Sequence, residues 1–315
     1  MPTLSDFRDA HERIRPYLTL PTPLERAHWL PGEAYLKLET VNPTHSFKIR
    51  GALNAMLRLK ADGRAADGVI AASSGNHAQA LSYAAKLTGV RAQILMPKHT
   101  PQKKIDGVRA HGGEAILFGE NYDAAEAEAI RRAAESGLTY VSPYNHPDVV
   151  AGAGTIGLEI TAQLPEVGRV LVCLSGGGLL GGIATALSDL KPGCEVIGVC
   201  AENAPAGYNL VYGTHKPQVW ETLAEALSGD IEAGSLTIDL IQRHVREVVL
   251  VSEAAIADAM RALVYQQGWI AEGGGAVCVA ALMSGAVQAD DRPLVALVSG
   301  ANVDESALRR VLAGG

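Results

Sequence analysis

The chain has 315 residues, of which 48% are hydrophobic and 19% are charged, with a formal net charge of -7 at pH 7. At roughly 100 to 200 residues per domain, this length allows two domains with substantial cores. The acidic balance and the lack of a Lys/Arg run argue against a nucleic-acid partner and against an anionic membrane surface.

Three stretches repeat one layout, in which an apolar run is followed by a Ser/Gly turn and then by a helical pattern. Uninterrupted apolar strands followed by helices indicate a parallel sheet covered on both faces, and therefore an α/β protein. In chain order, the predicted strands are 34–38, 69–72, 92–96, 115–118, 170–174, 196–200, 248–251 and 294–298. The predicted helices are 77–87, 122–136, 179–190, 253–267 and 304–312.

The organisation of the chain predicts two closely packed units with a site between them. We expect residues 55–145 to form a small domain, inserted into a large domain made from residues 1–54 and 146–315. Residues 170–187 carry no charge, but the Ser-Gly-Gly-Gly at their centre favours a buried strand, loop and helix over a membrane span.

The cysteine pattern and the N-terminal composition indicate the cellular compartment of the protein. The four cysteines form no CxxC pair, and the first fifteen residues mix acids and bases where a signal peptide needs an apolar core. We therefore expect reduced thiols in a cytoplasmic protein.

The segment 42–52 places Lys48 between Phe47 and Ile49, where a helical pattern begins. A desolvated amine near a helix N-terminus has a lowered pKa, which suits a lysine that forms a Schiff base. The same segment also fits an ordinary lysine that snorkels to solvent.

The segment 73–77, Ser-Ser-Gly-Asn-His, lies between a predicted strand and a predicted helix. Its small residues and the free N–H groups of the helix start favour a carboxylate or a phosphate, although a capped turn without function has the same features. Ser299 ends the last predicted strand and offers a hydroxyl at a sharp turn, which by itself is also typical of a plain turn.

The segment 175–181, Ser-Gly-Gly-Gly-Leu-Leu-Gly, follows a strand and opens a helix, as a phosphate-binding loop does. It also matches G-x-G-x-x-G through Gly176, Gly178 and Gly181, with Glu202 after the next strand, at the distance of about twenty residues seen in dinucleotide sites. An NAD-binding site is therefore a rival, but it leaves Lys48 and Asn76 without a role.

Taken together and in this order, the four segments resemble the serine/threonine dehydratase and serine racemase family of pyridoxal-phosphate (PLP) enzymes, with the tryptophan-synthase-β-like fold. The resemblance runs from Thr22 through the segments 151–155 and 272–276 to Ser299. It implies a fold type II PLP enzyme, with two open, mostly parallel twisted sheets flanked by helices. It also implies a homodimer.

The resemblance assigns roles residue by residue. Lys48 would bind the cofactor covalently, with Phe47 packed on its ring, and Ser299 would meet the pyridine nitrogen. The substrate carboxylate and the cofactor's phenolic oxygen would be held by Ser73, Asn76 and His77. The phosphate would be held by Ser175, Gly176, Gly177, Gly178 and Leu179.

Departures from the family pattern leave some roles open. His45 stands where glycine is usual, and it is either tolerated in a loop or contacts the distal group of the substrate. The metal site of the family keeps Glu202, but Tyr208 stands where an acidic ligand is common, so metal binding stays undecided. Ser175 and Ala226 replace usual glycines, and Ala153 replaces a usual glutamine.

The implied activity is that of an ammonia-lyase that removes water from a β-hydroxy amino acid, such as L-threonine, L-serine or threo-3-hydroxyaspartate. The freed amine of Lys48 would take the α-proton, and the products would be a 2-oxo acid and ammonia. The alternative is a racemase, because Ser74 stands where racemases carry a serine that can act as a second base. Rivals from other classes are an NAD-dependent oxidoreductase and a catalytically silent amino-acid sensor.

Overall fold

Short apolar runs form most strands of the protein, and alanine-rich segments form several of its helices. The computed structural model describes residues 1–314. The strands are β1 Leu24–Arg26, β2 Ala34–Leu38, β3 Val69–Ala72, β4 Ala92–Met96, β5 Glu114–Leu117, β6 Thr139–Tyr140, β7 Arg169–Cys173, β8 Glu195–Ala201, β9 Glu247–Val251 and β10 Leu294–Val298. The helices are α1 Leu4–Ile14, α2 Lys48–Ala61, α3 Asn76–Thr88, α4 Gln102–Ala110, α5 Tyr122–Ser136, α6 Pro147–Gln163, α7 Gly178–Leu190, α8 Ala206–Tyr212, α9 Leu236–His244, α10 Glu253–Ala262, α11 Gly273–Met283 and α12 Glu305–Leu312.

The strands form two sheets. The larger sheet has the order β1-β2-β10-β7-β8-β9, in which β1 is antiparallel to β2 and every other pairing is parallel. The smaller sheet has the order β5-β4-β3-β6 and is parallel throughout. The predicted α/β class with two mostly parallel sheets flanked by helices is confirmed.

The two sheets draw on separate parts of the chain. All four strands of the smaller sheet lie between residues 69 and 140, and the six strands of the larger sheet lie outside that range. Helix α2 starts at Lys48 and continues to Ala61, across the predicted boundary at residues 54 and 55. The division into domains at 54/55 and 145/146 stays a prediction.

The main core lies around the larger sheet. Strands β7 and β10 are buried along their whole length, and α7 and α11 are buried on nearly every side. The uncharged stretch 170–187 is thus a strand, a loop and a helix, as predicted. Of the helices in residues 1–314, none is long and apolar enough to cross a membrane.

Most predicted elements are present with ends shifted by one or two residues, but three differences have physical causes. The predicted helix 253–267 is capped by Ser252 and remains α-helical only to Ala262, after which a π-helical turn leads to Gly268. Strands β1 and β6 were not predicted. They have three and two residues and are defined by pairing with β2 and β3, which a local pattern cannot show.

A buried cluster of charged side chains anchors the start of α2. Arg50 has no exposed surface and pairs through Nε with Glu39 at 2.7 Å and through Nη1 with Glu159 at 2.7 Å. Lys37 donates to Glu159 at 2.6 Å and to the carbonyl oxygen of Thr22 at 2.7 Å. Two positive and two negative groups thus compensate each other two residues beyond Lys48.

Candidate active site

Lys48 is the first residue of α2, and its amine contacts the turn that precedes α6. Nζ donates to the carbonyl oxygen of Pro143 at 2.8 Å and lies 5.2 Å from the centre of the Phe47 ring. Desolvation by the surrounding protein lowers the pKa of this amine to about 8. At neutral pH the neutral fraction of this amine is therefore a minority, but it is far larger than that of an ordinary lysine, and the neutral form is the one that a nucleophile or base requires.

A small pocket connects this amine to the start of α7. It brings together residues from the beginning of α2, from the turn before α6 and from the first turn of α7. Its lining residues are Phe47, Lys48, Gly51, Pro143, Val149, Ala153, Gly178 and Leu179.

The glycine loop forms the turn from β7 into α7. Gly177 has a φ of +87°, which glycine adopts without strain. A Cβ atom at Gly176 would lie 2.4 Å from the ring of Tyr144, so a larger residue does not fit there. The Thr237 hydroxyl donates to the carbonyl oxygen of Gly176 at 2.7 Å and fixes the loop. The first N–H groups of α7 have no partner within the helix, which makes this end a site for an anion.

The segment 73–77 forms the turn from β3 into α3, on the opposite side of the site. The Ser73 hydroxyl accepts from the backbone N–H of Gly75 at 3.2 Å, and Ser74 is half-buried. Asn76 begins α3, and its Nδ2 donates to Oε1 of Glu272 at 2.6 Å. This contact joins an element of the smaller sheet to the N-cap residue of α11.

The side chain of His77 is buried against the end of β6. The residue is 2% exposed, and Nε2 lies 3.2 Å from the carbonyl oxygen of Val141. Burial lowers the pKa of this imidazole to about 3, so it is neutral. The ring is held against Val141, while the backbone N–H of His77 belongs to the first turn of α3. The substrate contact of His77 stays a prediction.

Ser299 lies at the carboxyl end of β10 and is 4% exposed. Its carbonyl oxygen accepts from the backbone N–H of Phe47 at 3.0 Å, which ties it to the residue before Lys48. Its hydroxyl accepts from the thiol of Cys173 at 3.4 Å. The Ser299 proton therefore stays available for another acceptor.

His45 has a φ of +53°, and within residues 1–314 no other residue except glycines has a positive φ. This backbone conformation explains why glycine suits the position. The imidazole is exposed, while the carbonyl oxygen accepts from the backbone N–H of Ala301 at 2.9 Å.

Sequence reasoning missed three residues of this region: Tyr144, Glu272 and Asn302. Desolvation raises the pKa of the Glu272 carboxyl to about 7, although the hydrogen bond from Asn76 acts in the opposite direction. Glu272 and Asn302 lie in motifs that the resemblance already includes, but no local pattern indicates that their side chains contact Asn76.

The two positions compared with the metal site of the family lie directly after β8 and in α8. Glu202 is exposed, and the ring of Tyr208 packs 4.6 Å from that of Tyr212. Across residues 1–314, no group of three or more His, Cys, Asp or Glu side chains could hold a metal ion. All four cysteines are free thiols, and three of them are buried.

The donor set of the site fits pyridoxal phosphate. The cofactor needs an amine for its aldehyde, an anion site for its phosphate and a hydrogen-bonding group for its ring nitrogen. Lys48 and the N-terminus of α7 line one pocket and offer the first two groups. Ser299 offers the third, and its backbone is hydrogen-bonded to Phe47, which also lines that pocket. A dinucleotide would use the glycine loop but not the lysine.

Comparison with known proteins agrees with this fit. Residues 17–300 match the family described as pyridoxal-phosphate dependent enzyme. The chain is 40% identical to L-threonine ammonia-lyase of Thermotoga maritima over 283 residues, which is 89% of this chain and 70% of that protein.

Two solved structures show the same fold over almost the whole chain. The processed form of threonine deaminase isoform 2 from Solanum lycopersicum superposes with a TM-score of 0.89 at 33% identity, covering 100% of this chain and 91% of that one. Maize serine racemase gives a TM-score of 0.91 at 29% identity, covering 99% and 97%. The predicted family is confirmed, and with it fold type II: the protein belongs to the pyridoxal-phosphate-dependent enzymes.

Proposed function

We propose that this protein is a PLP-dependent ammonia-lyase, which eliminates water from a β-hydroxy amino acid. The released enamine then takes up one water by hydrolysis to give a 2-oxo acid and ammonia. The similarity to a threonine ammonia-lyase and a threonine deaminase supports this reaction. The observation that carries the proposal is the Lys48 amine, whose pKa is lowered to about 8 and which shares a pocket with the N-terminus of α7.

The bound cofactor supplies an electron sink that makes the α-proton of an amino acid acidic and labilises the β-hydroxyl. Lys48 would hold the cofactor covalently and, once displaced by the substrate amine, would take the α-proton. The carbonyl oxygen of Pro143 orients the free amine for this step. Because burial lowers the pKa of Lys48, the amine is a competent base near neutral pH.

Two elements of the larger sheet would bind the remaining polar groups of the cofactor. The loop of Ser175, Gly176, Gly177, Gly178 and Leu179 would hold the phosphate through its backbone N–H groups. Ser299 would donate its hydroxyl proton to the ring nitrogen. Its hydroxyl oxygen accepts a hydrogen bond from the Cys173 thiol, which leaves the hydroxyl proton free to be donated. A neutral donor leaves the ring less positive than a carboxyl partner would, which favours prompt loss of the β-hydroxyl.

The turn before α3 would bind the substrate. Ser73, Ser74 and the backbone N–H of His77 would hold the α-carboxylate, and Asn76 would hold the phenolic oxygen of the cofactor. The exposed imidazole of His45 would face the distal group of the substrate. L-threonine and L-serine are the substrates we favour, and threo-3-hydroxyaspartate presents the same α-amino, carboxyl and β-hydroxyl groups.

Racemisation is the second candidate, and the similarity to maize serine racemase supports it. A racemase needs a base on each face of the substrate. Ser74 is half-buried in the turn before α3 and would be the second base beside Lys48. An enzyme with both activities would use the same residues.

The test is a panel of the three amino acids, assayed for 2-oxo acid, ammonia and the D-isomer of the recovered substrate. We expect 2-oxo acid and ammonia in equal amounts from at least one of them, and no product from Lys48→Ala. Lys216→Ala is the control, because Lys216 is exposed and contacts the ring of Tyr208. If no member of the panel yields a 2-oxo acid, or if Lys48→Ala remains active, the proposal is wrong.

We further propose a cytoplasmic homodimer, with a small domain of residues 55–145 that closes on the large domain. The four free thiols support a reducing compartment. Size-exclusion chromatography with light scattering measures the mass in solution, and a mass of one chain would contradict the dimer.

A further inference from the structure

Asn302 lies three residues beyond Ser299 and bridges two segments of the site. Its Nδ2 donates to the carbonyl oxygen of Thr44 at 2.9 Å and to Oδ1 of Asn76 at 2.6 Å. A backbone carbonyl can only accept, so the Asn302 atom beside Thr44 is the nitrogen. The orientation of this amide therefore follows from the backbone.

The same reasoning fixes the amide of Asn76. Because the Asn302 nitrogen donates to it, the nearer atom of Asn76 is its oxygen, since two amide nitrogens would both present hydrogens. The Asn76 nitrogen then faces Oε1 of Glu272 at 2.6 Å, and a carboxylate oxygen accepts. Asn302 and Glu272 thus orient one amide from two sides.

Asn302 is carried by a rigid part of the larger sheet. Gly300 forms an isolated β-bridge with Ser46, and the backbone N–H of Ala301 donates to the carbonyl oxygen of His45 at 2.9 Å. Asn76, by contrast, begins the helix that follows β3 of the smaller sheet. The hydrogen bonds of Asn302 to Thr44 and Asn76 therefore hold the start of α3 in a defined position beside the segment that leads into Lys48.

The hydrogen-bond count leaves one N–H of Asn76 without a partner. Nδ2 carries two hydrogens, and within residues 1–314 only Glu272 accepts from it. The backbone N–H of Glu272 donates to the carbonyl oxygen of Gly300 at 3.0 Å, and the preceding Ser299 accepts from the N–H of Phe47. The Asn76 amide, held by Glu272, therefore lies beside the segment that leads into Lys48.

We propose that Asn302 is a positioning residue, which orients the Asn76 amide so that its free N–H faces the phenolic oxygen of the cofactor. This inference rests on the proposed function, because it requires a bound cofactor. It adds a residue that acts through Asn76 and touches neither the cofactor nor the substrate.

Asn302→Asp is the sharpest perturbation. Aspartate places an acceptor beside the Thr44 carbonyl and the Asn76 oxygen. The Asn76 amide then either keeps its oxygen against this new acceptor or turns its oxygen toward Glu272 and the cofactor, and each outcome displaces the free N–H. Asn302→Ala is the second variant, which removes the donor without adding a charge. Asn203→Asp is the control, because Nδ2 of Asn203 also donates to a backbone carbonyl, that of Glu221, at 2.9 Å, at an exposed position.

The measurements use the holoenzyme and do not depend on turnover. Equilibrium dialysis gives the dissociation constant of the cofactor. The visible spectrum at a fixed, mildly alkaline pH gives the ratio of the long-wavelength band, from the ionised phenolic oxygen, to the short-wavelength band. Thermal unfolding reports on the fold.

For Asn302→Asp we expect a dissociation constant raised about tenfold or more and a lowered band ratio, since a hydrogen bond to an ionised acceptor is lost. Asn302→Ala should shift both in the same direction by less, and Asn203→Asp should leave both unchanged. The inference would be overturned if both Asn302 variants had the dissociation constant and the band ratio of the parent. It would also be overturned if weaker cofactor binding were fully explained by the unfolded fraction of the variant. A parent protein that binds no cofactor would instead overturn the proposed function.

Discussion

The buried charge cluster at the start of α2 allows a direct test of how burial sets the strength of an ion pair. Arg50 pairs with Glu39 and Glu159 through contacts of 2.7 Å and is fully buried. Replacing it by methionine leaves two buried carboxylates with Lys37 as their one remaining positive partner. Breaking a buried pair in this way costs about 3–5 kcal/mol of unfolding free energy.

The pKa of Glu159 gives an independent magnitude. Burial alone would raise this pKa, but the charges and hydrogen bonds of Arg50 and Lys37 outweigh burial and lower it from 4.5 to about 2. That difference corresponds to roughly 3 kcal/mol of stabilisation. Because the folded pKa is the lower one, this stabilisation is present above pH 4.5 and is lost as the pH falls toward about 2.

Arg131 is the matched control. It also pairs with two carboxylates, at 2.8 Å and 2.5 Å, but its side chain is 53% exposed. Water screens such pairs, so we expect Arg131→Met to change stability little. Lys37→Met should lie between the two, because Glu159 keeps Arg50.

Urea unfolding, followed by tryptophan fluorescence and far-UV circular dichroism, measures these free energies if the two probes coincide. We expect the loss of unfolding free energy to be largest for Arg50→Met, smaller for Lys37→Met and smallest for Arg131→Met. The difference between Arg50→Met and Lys37→Met should become smaller at acid pH. Equal losses for Arg50→Met and Arg131→Met would refute the reasoning, and so would an Arg50 effect that does not depend on pH.

The remaining predictions concern single residues of the site. Ser74→Ala should keep 2-oxo acid formation and abolish any D-isomer, measured by chiral chromatography, whereas equal loss of both would show that Ser74 positions the substrate. Ser299→Asp should slow elimination and give a long-wavelength absorbance on adding substrate, because a carboxylate favours a protonated ring. Parent-like elimination without that band would contradict this role. At the positive φ of residue 45, His45→Val should lower stability by about 1–2 kcal/mol while His45→Asn should not, and equal melting temperatures would contradict the strain.

Most strands that the local pattern predicted are buried apolar runs of four residues or more, as β3 and β10 show, whereas β5 is partly exposed. Burial on both faces of a parallel sheet removes polar residues from such runs, so the run itself predicts the strand. The two-residue β6 has no such pattern, because its existence depends on pairing with β3.

The residues of the candidate site also fall into two groups: those marked by a local motif and those that depend on tertiary contacts. Lys48, the glycine loop and Ser299 were predicted because each follows a local motif, and the structure places them around one region. The contact of Asn76 with Glu272 spans 196 residues of chain, and its contact with Asn302 spans 226. Such contacts arise from tertiary packing, which a single sequence does not reveal.

The left-handed backbone conformation of residue 45 is another feature that local sequence patterns did not predict. Glycine would have marked it in the sequence, but histidine carries no such signal. The direction of the His77 ring was also beyond the sequence, because its partner is the backbone of Val141.

The central claim is that Lys48 holds the cofactor, and peptide mapping after borohydride reduction tests it most directly. Reduction of the protein purified with pyridoxal phosphate should fix a pyridoxyl group on the peptide that contains Lys48, in an amount near one group per chain. A group fixed on another lysine, such as Lys37, or no fixed group at all would contradict the account.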